Sequence, residues 1–217
     1  MKTNSRDIDE MLRKCAAAEF DMRIFGYGFT RSSNELRFVR TVNDGTQSLE
    51  LCYDARPGYK PDALAHLLPR VVVSFPGVNE IADTITEGQK DLVGSTKFTF
   101  SQQVQNLSPL KVRMAPPSWF VFQGNTCGFA SELWHFLEDW AFPFLRNYET
   151  TESLVRGVEA SDERLPNDRR FSVIITAAYL QLGQYDKARR FLNERFAAPG
   201  LKRKYAKVLK FVSHIAE

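Results

Sequence analysis

The chain has 217 residues, of which 43% are hydrophobic and 12% aromatic, and its formal net charge is +3. That is ample material for a packed core, and it excludes disorder across the whole chain. No apolar run approaches the roughly 20 residues needed to span a bilayer, and the polar stretch Met1–Arg13 lacks the apolar segment of a secretory signal. A soluble, cytoplasmic protein with no membrane partner is expected.

In chain order, Ser5 to Phe25 reads as a first helix. Ser5 suits the cap, Asp7, Asp9 and Glu10 suit the positive end, and Ile8, Met11, Leu12, Cys15, Ala16, Phe20 and Ile24 form one stripe at helical period. Gly26 and Gly28 stop it. A hairpin follows: Leu36–Val42 is β-rich, Asn43-Asp44-Gly45 accept positive φ, and Ser48–Tyr53 returns. Arg56–Pro61 is a loop. Arg70–Phe75 reads as a third strand closed by Pro76-Gly77, Val78–Thr86 as a short helix, and Thr96–Val104 as a fourth strand. Pro116-Pro117 breaks the chain before a fifth strand, Trp119–Phe122.

From Gly128 the apolar period changes from two to 3.6. Phe129, Leu133, Phe136, Leu137 and Trp140 share one face of a helix that should end near Pro143. Thr150 caps a short helix running to Arg156. Ser161–Asp168 is polar, contains Pro166, and marks a boundary. Helices Phe171–Leu182 and Tyr185–Phe196 meet at Gly183-Gln184, and Leu201–Ile215 forms a last one. The fold class is α+β: an N-terminal helix, an antiparallel sheet of about five strands, then a helical C-terminal half. Residues 1–160 form an α+β domain, and residues 161–217 a helical hairpin plus C-terminal helix expected to pack on it as one unit.

Cys15, Cys52 and Cys127 lie far apart, outside any C-x-x-C pair, and His66, His135 and His214 are equally scattered. This spacing argues against a disulfide framework, fits a reducing compartment, and offers no clustered metal ligands. No metal or cofactor is expected. Gly26-Tyr27-Gly28 lacks the third glycine of a phosphate loop, and neither Gly-x-Ser-x-Gly nor His-Glu-x-x-His occurs. Glu149, Glu152, Asp162 and Glu163 fall where solvated or capping roles are ordinary.

One segment invites a chemical reading: Gln123-Gly124-Asn125-Thr126-Cys127-Gly128. A cysteine at the mouth of a helix gains thiolate character, and a nearby Gln can donate to an oxyanion. The segment resembles the Gln…Cys-Gly signature of cysteine peptidases, although the Gln–Cys spacing is shorter and Thr126 stands before the cysteine. His135 is about 12 Å away by helical rise, too far to activate Cys127 directly. The competing reading is a core cysteine, with Asn125 or Thr126 capping the helix.

Charge is uneven. From Gln184 onward nine basic residues (Lys187, Arg189, Arg190, Arg195, Lys202, Arg203, Lys204, Lys207 and Lys210) face only Asp186, Glu194 and Glu217. A solvated helix face, an acidic partner or a nucleic-acid contact each account for this. Trp119, Trp134, Trp140 and the neighbouring phenylalanines should be mostly core, with a minority left to anchor a partner.

Two stretches carry a resemblance. Ala178–Ala188, with Gly183 at the turn and Ala188 at the close approach, resembles the turn of a tetratricopeptide repeat. The first helix leading into Gly28-Phe29-Thr30-Arg31, the Leu36–Leu51 hairpin, and Phe142-Pro143-Phe144-Leu145 followed by Tyr148–Leu154 form a second pattern. It resembles uncharacterised bacterial α+β domains found beside polymorphic toxins, some of them immunity proteins. That resemblance implies a non-enzymatic protein that neutralises a cognate toxin or effector by direct binding, and it carries no catalytic residues. The alternatives are a cysteine hydrolase using Cys127 with Gln123, and nucleic-acid binding through the basic C-terminal helices.

Overall fold

The computed structural model describes residues 5–32, 35–109 and 116–215. Met1–Asn4 and Glu217, used in the readings above, lie outside these residues. The chain divides into two compact units. The first comprises Met1–Thr41, Thr46–Val72 and Gln102–Asn147, and the second Val42–Gly45, Val73–Ser101 and Tyr148–Glu217. The polar segment Ser161–Asp168 thus lies within the second unit. The fold class is α+β, and the described residues contain no helix long and apolar enough to cross a membrane.

The strands form two sheets. Five run in the order β1 (Thr30–Arg31), β2 (Arg37–Val42), β3 (Gly45–Glu50), β6 (Arg70–Ser74) and β7 (Phe100–Gln103). A second, antiparallel sheet joins β4 (Tyr53–Ala55), β5 (Ala63–Leu67) and β8 (Trp119–Phe122), with Asp54 opposite His66 and His66 opposite Phe120. The predicted fifth strand, Trp119–Phe122, therefore belongs to this second sheet, whose other two strands the sequence reading did not anticipate. The fourth strand is shorter than Thr96–Val104: residues 96–99 form a turn and a bend, and a 3-10 turn takes over at Val104–Leu107.

In the first unit, α1 (Ser5–Glu19) and α2 (Asp21–Phe25) replace the single helix expected over 5–25. The break falls at Phe20, whose φ of −113° departs from helical geometry and whose ring is fully buried among Phe38, Phe129 and Trp134. The stripe itself holds apart from Met11, which is half-buried: Ile8, Leu12, Cys15, Ala16, Phe20 and Ile24 are all buried. Farther on, α5 (Ala130–Phe136) passes through a π-helical turn, Leu137–Ala141, into α6 (Phe142–Asn147). The helix runs past Pro143 instead of ending there. A regular turn would drive the proline ring into the Asp139 carbonyl, and the wider turn just ahead of it removes that conflict.

In the second unit, the Thr150 side chain accepts from Ser153 N–H, and Ser153 returns the bond, so a capping box opens α7 (Thr151–Glu159). The Asp44 carboxylate accepts a further bond from Thr151 N–H at 2.6 Å. Helix α8 (Arg169–Gln181) is buried without interruption from Phe171 to Leu180. A helix apolar on every side needs partners on every side. Here they are α3 (Pro76–Ile85), α4 (Lys90–Val93), α7 and α9 (Tyr185–Arg195). Gly183, at φ 67°, makes the tight turn between α8 and α9, and the fully buried Ala188 permits their close approach. Helices α10 (Pro199–Lys204) and α11 (Ala206–Ile215) complete the unit, α11 packing on α9 and α3.

Candidate functional site

Cys127 sits on the turn between β8 and α5, and its sulfur is joined to that of Cys15 on α1, with the two Cα atoms 5.6 Å apart. This pairing corrects the reading of three unrelated cysteines, and the argument for a reducing compartment drawn from their spacing goes with it. Residues 112 positions apart carry no local signal of proximity. In the disulfide the sulfur is neither a thiol nor a nucleophile.

The rest of the Gln123–Gly128 segment is arranged as a turn. Gln123 is exposed, Gly124 has φ 83°, and Asn125 N–H donates to the Phe122 carbonyl. Helix α5 starts at Ala130 with no side-chain cap, so neither Asn125 nor Thr126 caps it. His135 is exposed and lies 3.8 Å from Glu138. His66 is held by the Tyr59 hydroxyl at 2.6 Å and stacks on Phe120. Its basicity is lowered by burial, against the opposing charge of Asp54. His214 lies in the second unit. Cys52, the free cysteine, is half-buried, and burial pushes its thiol up despite Arg70. Among the described residues no group of three or more His, Cys, Asp or Glu side chains is placed to hold a metal ion.

The carboxylate that the structure does single out is Asp162, which is not simply solvated. Burial pushes it up, but hydrogen bonds from Arg164 and the Tyr148 hydroxyl outweigh that and bring it down to about 2. Tyr148 is raised in turn, by burial and by its bond to Asp162. This network borders a cleft of about 300 Å³ between the 161–167 segment, α8 and α9. With every strong group already paired inside the protein, the network braces the segment and presents no poised acid or base.

A different kind of site stands at the end of α2. Met22 and Phe25 are 87% and 69% exposed, whereas Ile24 between them is buried. Three residues apart on one helix, the two side chains are surface neighbours. Beside them the Arg23 guanidinium lies over the Trp134 ring at 5.7 Å. Two residues past Phe25, Tyr27 stacks on Phe142 at 4.0 Å, meets Trp134 edge-on at 5.9 Å, and donates its hydroxyl to Glu138. Arg40 fixes the neighbouring loop by donating to the Tyr27 carbonyl and to Gln47 Oε1, while covering the Phe29 ring. The result is an apolar, cation-bearing projection whose arginine packs on an aromatic cluster.

The sequence reading passed over this site, although a signal was present. Met22 and Phe25 are the large apolar residues that the buried stripe of the first helix leaves out. Comparison of the chain with protein-family models, curated proteins and solved structures gives no match.

Proposed function

We propose that this chain is a binding protein that docks one cognate protein partner on the Met22–Phe25 projection, in the manner of an immunity protein occluding a toxin or effector. The observation carrying this reading is the adjacent exposure of Met22 and Phe25 beside Arg23, whose guanidinium lies over Trp134 in a cluster with Tyr27 and Phe142. Single exposed apolar side chains are ordinary, but two together beside a cation match the composition of binding hot spots. Covering both side chains contributes about 3–5 kcal/mol of apolar burial. Ordering these two exposed side chains costs about 0.5–1.5 kcal/mol each, while the Tyr27, Trp134 and Phe142 rings beside them are already packed. The immunity role itself rests on the resemblance of the 5–157 region to toxin-associated domains.

The test is co-expression with the protein encoded next to it. Growth inhibition by the neighbour should be relieved by the wild-type chain and restored by Met22→Asp/Phe25→Asp, with the circular-dichroism spectrum of the double variant unchanged. A neighbour that is harmless, or rescue that survives both substitutions, defeats the proposal.

A further inference from the structure

The second unit ends in a surface of a different chemistry. From Pro199 to Ile215, α10 and α11 contain five Lys or Arg residues and no acidic residue. A helix face that only needs hydration ordinarily intersperses both signs, because like charges three or four positions apart repel. Some cations are answered from elsewhere in the unit: Lys204 by Asp91 at 3.8 Å and Lys207 by Glu87 at 2.6 Å. Lys202, Arg203 and Lys210 are exposed and have neither an ion pair nor a hydrogen bond to another side chain among the described residues.

Their setting is specific. On α11, Tyr205 just before it, Val208 and Val212 face inward and are buried. The opposite face carries Lys207, Lys210, Phe211 and His214, which helical spacing places within one arc of about 100°. Phe211 is 37% exposed within this cationic stripe. An aromatic face between cations matches a polymer that alternates flat rings with anions. An acidic polypeptide supplies the anions and no obligatory rings. A duplex supplies both but keeps its bases stacked out of reach.

We propose that the outward face of α11, with Lys202 and Arg203 of α10, binds single-stranded nucleic acid. The cations neutralise backbone phosphates and Phe211 stacks on a base. This surface is independent of the Met22–Phe25 projection and stands whether or not that projection binds a protein.

Fluorescence anisotropy of the full chain with a labelled 20-nucleotide oligo-dT tests this directly. Three or four neutralised phosphates predict a slope of log affinity against log salt of about −2 to −3, which is roughly a 15- to 60-fold loss between 50 and 200 mM salt. Arg203→Gln/Lys210→Gln should flatten that slope by about one unit or slightly more. Phe211→Ala should weaken binding roughly 5- to 100-fold without changing the slope, and Phe211→Tyr should restore it. These side chains are exposed, and an unchanged circular-dichroism spectrum confirms that each variant folds. The proposal is overturned by no binding at 50 mM salt, by a slope indifferent to the two cations, or by Phe211→Ala binding as wild type. A matched duplex or poly-glutamate bound as tightly as oligo-dT also overturns it, by showing that only charge is read.

Discussion

The two units secure their helices by different means. In the first, α1 is tied to the turn before α5 by the Cys15–Cys127 bond and held by rings packed edge and face around Phe20 and Trp134. In the second, α8 is wrapped by four helices, and the polar segment that leads into it is pinned by Tyr148, Asp162 and Arg164. The surfaces differ to match, the first unit exposing an apolar projection and the second a cationic stripe. A covalent and aromatic frame suits the docking corner proposed for the first unit. A helical sheath leaves outward faces free to carry charge. Redox conditions should therefore act on the first unit and acid on the second.

The largest expected effect tests the covalent tie. All three tryptophans lie in the first unit, so their emission reports on it. Closing a loop of 112 residues limits the unfolded chain by about 4–5 kcal/mol in the loop-entropy treatment. Cys15→Ser, or reduction, should lower the tryptophan-monitored urea midpoint accordingly, and an unchanged midpoint would remove the disulfide from the comparison. Next is Gly45→Ala in the second unit. A Cβ there would stand 1.9 Å from the Ser74 carbonyl oxygen, a backbone atom that cannot swing aside. A loss of about 3 kcal/mol should appear in thermal unfolding.

Acid sharpens the contrast further. The Asp162 carboxyl titrates at about 2 in the folded protein, below the value of about 3.9 in an unfolded chain. Its contribution is therefore complete above about pH 4 and is lost as pH falls toward 2. Asp162→Asn should cost about 1–2 kcal/mol at neutral pH and flatten that acid limb, whereas a pH profile identical to wild type would show the network to be idle. The smallest effect belongs to the projection. Met22→Ala and Phe25→Ala should each change stability by less than about 0.5 kcal/mol, and a larger loss would make these side chains part of the fold and not a docking surface.

Much of the framework was legible from local pattern. The stripe from Ile8 to Ile24, the Thr150 cap and the Gly183 turn all follow from short-range rules of period, capping and backbone freedom, and all are present. The failures have physical causes. Ala63–Leu67 is rich in alanine and weak in strand propensity, yet it forms β5 because β4 and β8 pair with it on either side. Pro143 stopped the predicted helix because a regular turn was assumed. Met22 and Phe25 were visible as apolar residues outside the stripe, but only the packed structure shows that they remain uncovered.

By itself the sequence determined the α+β class, the order of the principal helices, the buried face of the first one and the basic character of the last. Each of these depends on residues within a few turns of one another. Tertiary structure alone decided that Cys15 meets Cys127, that Tyr148 reaches Asp162, and that the face shared by Lys210 and Phe211 stays uncovered. Those outcomes depend on which distant segments come together and which surfaces stay uncovered, and no local period encodes either.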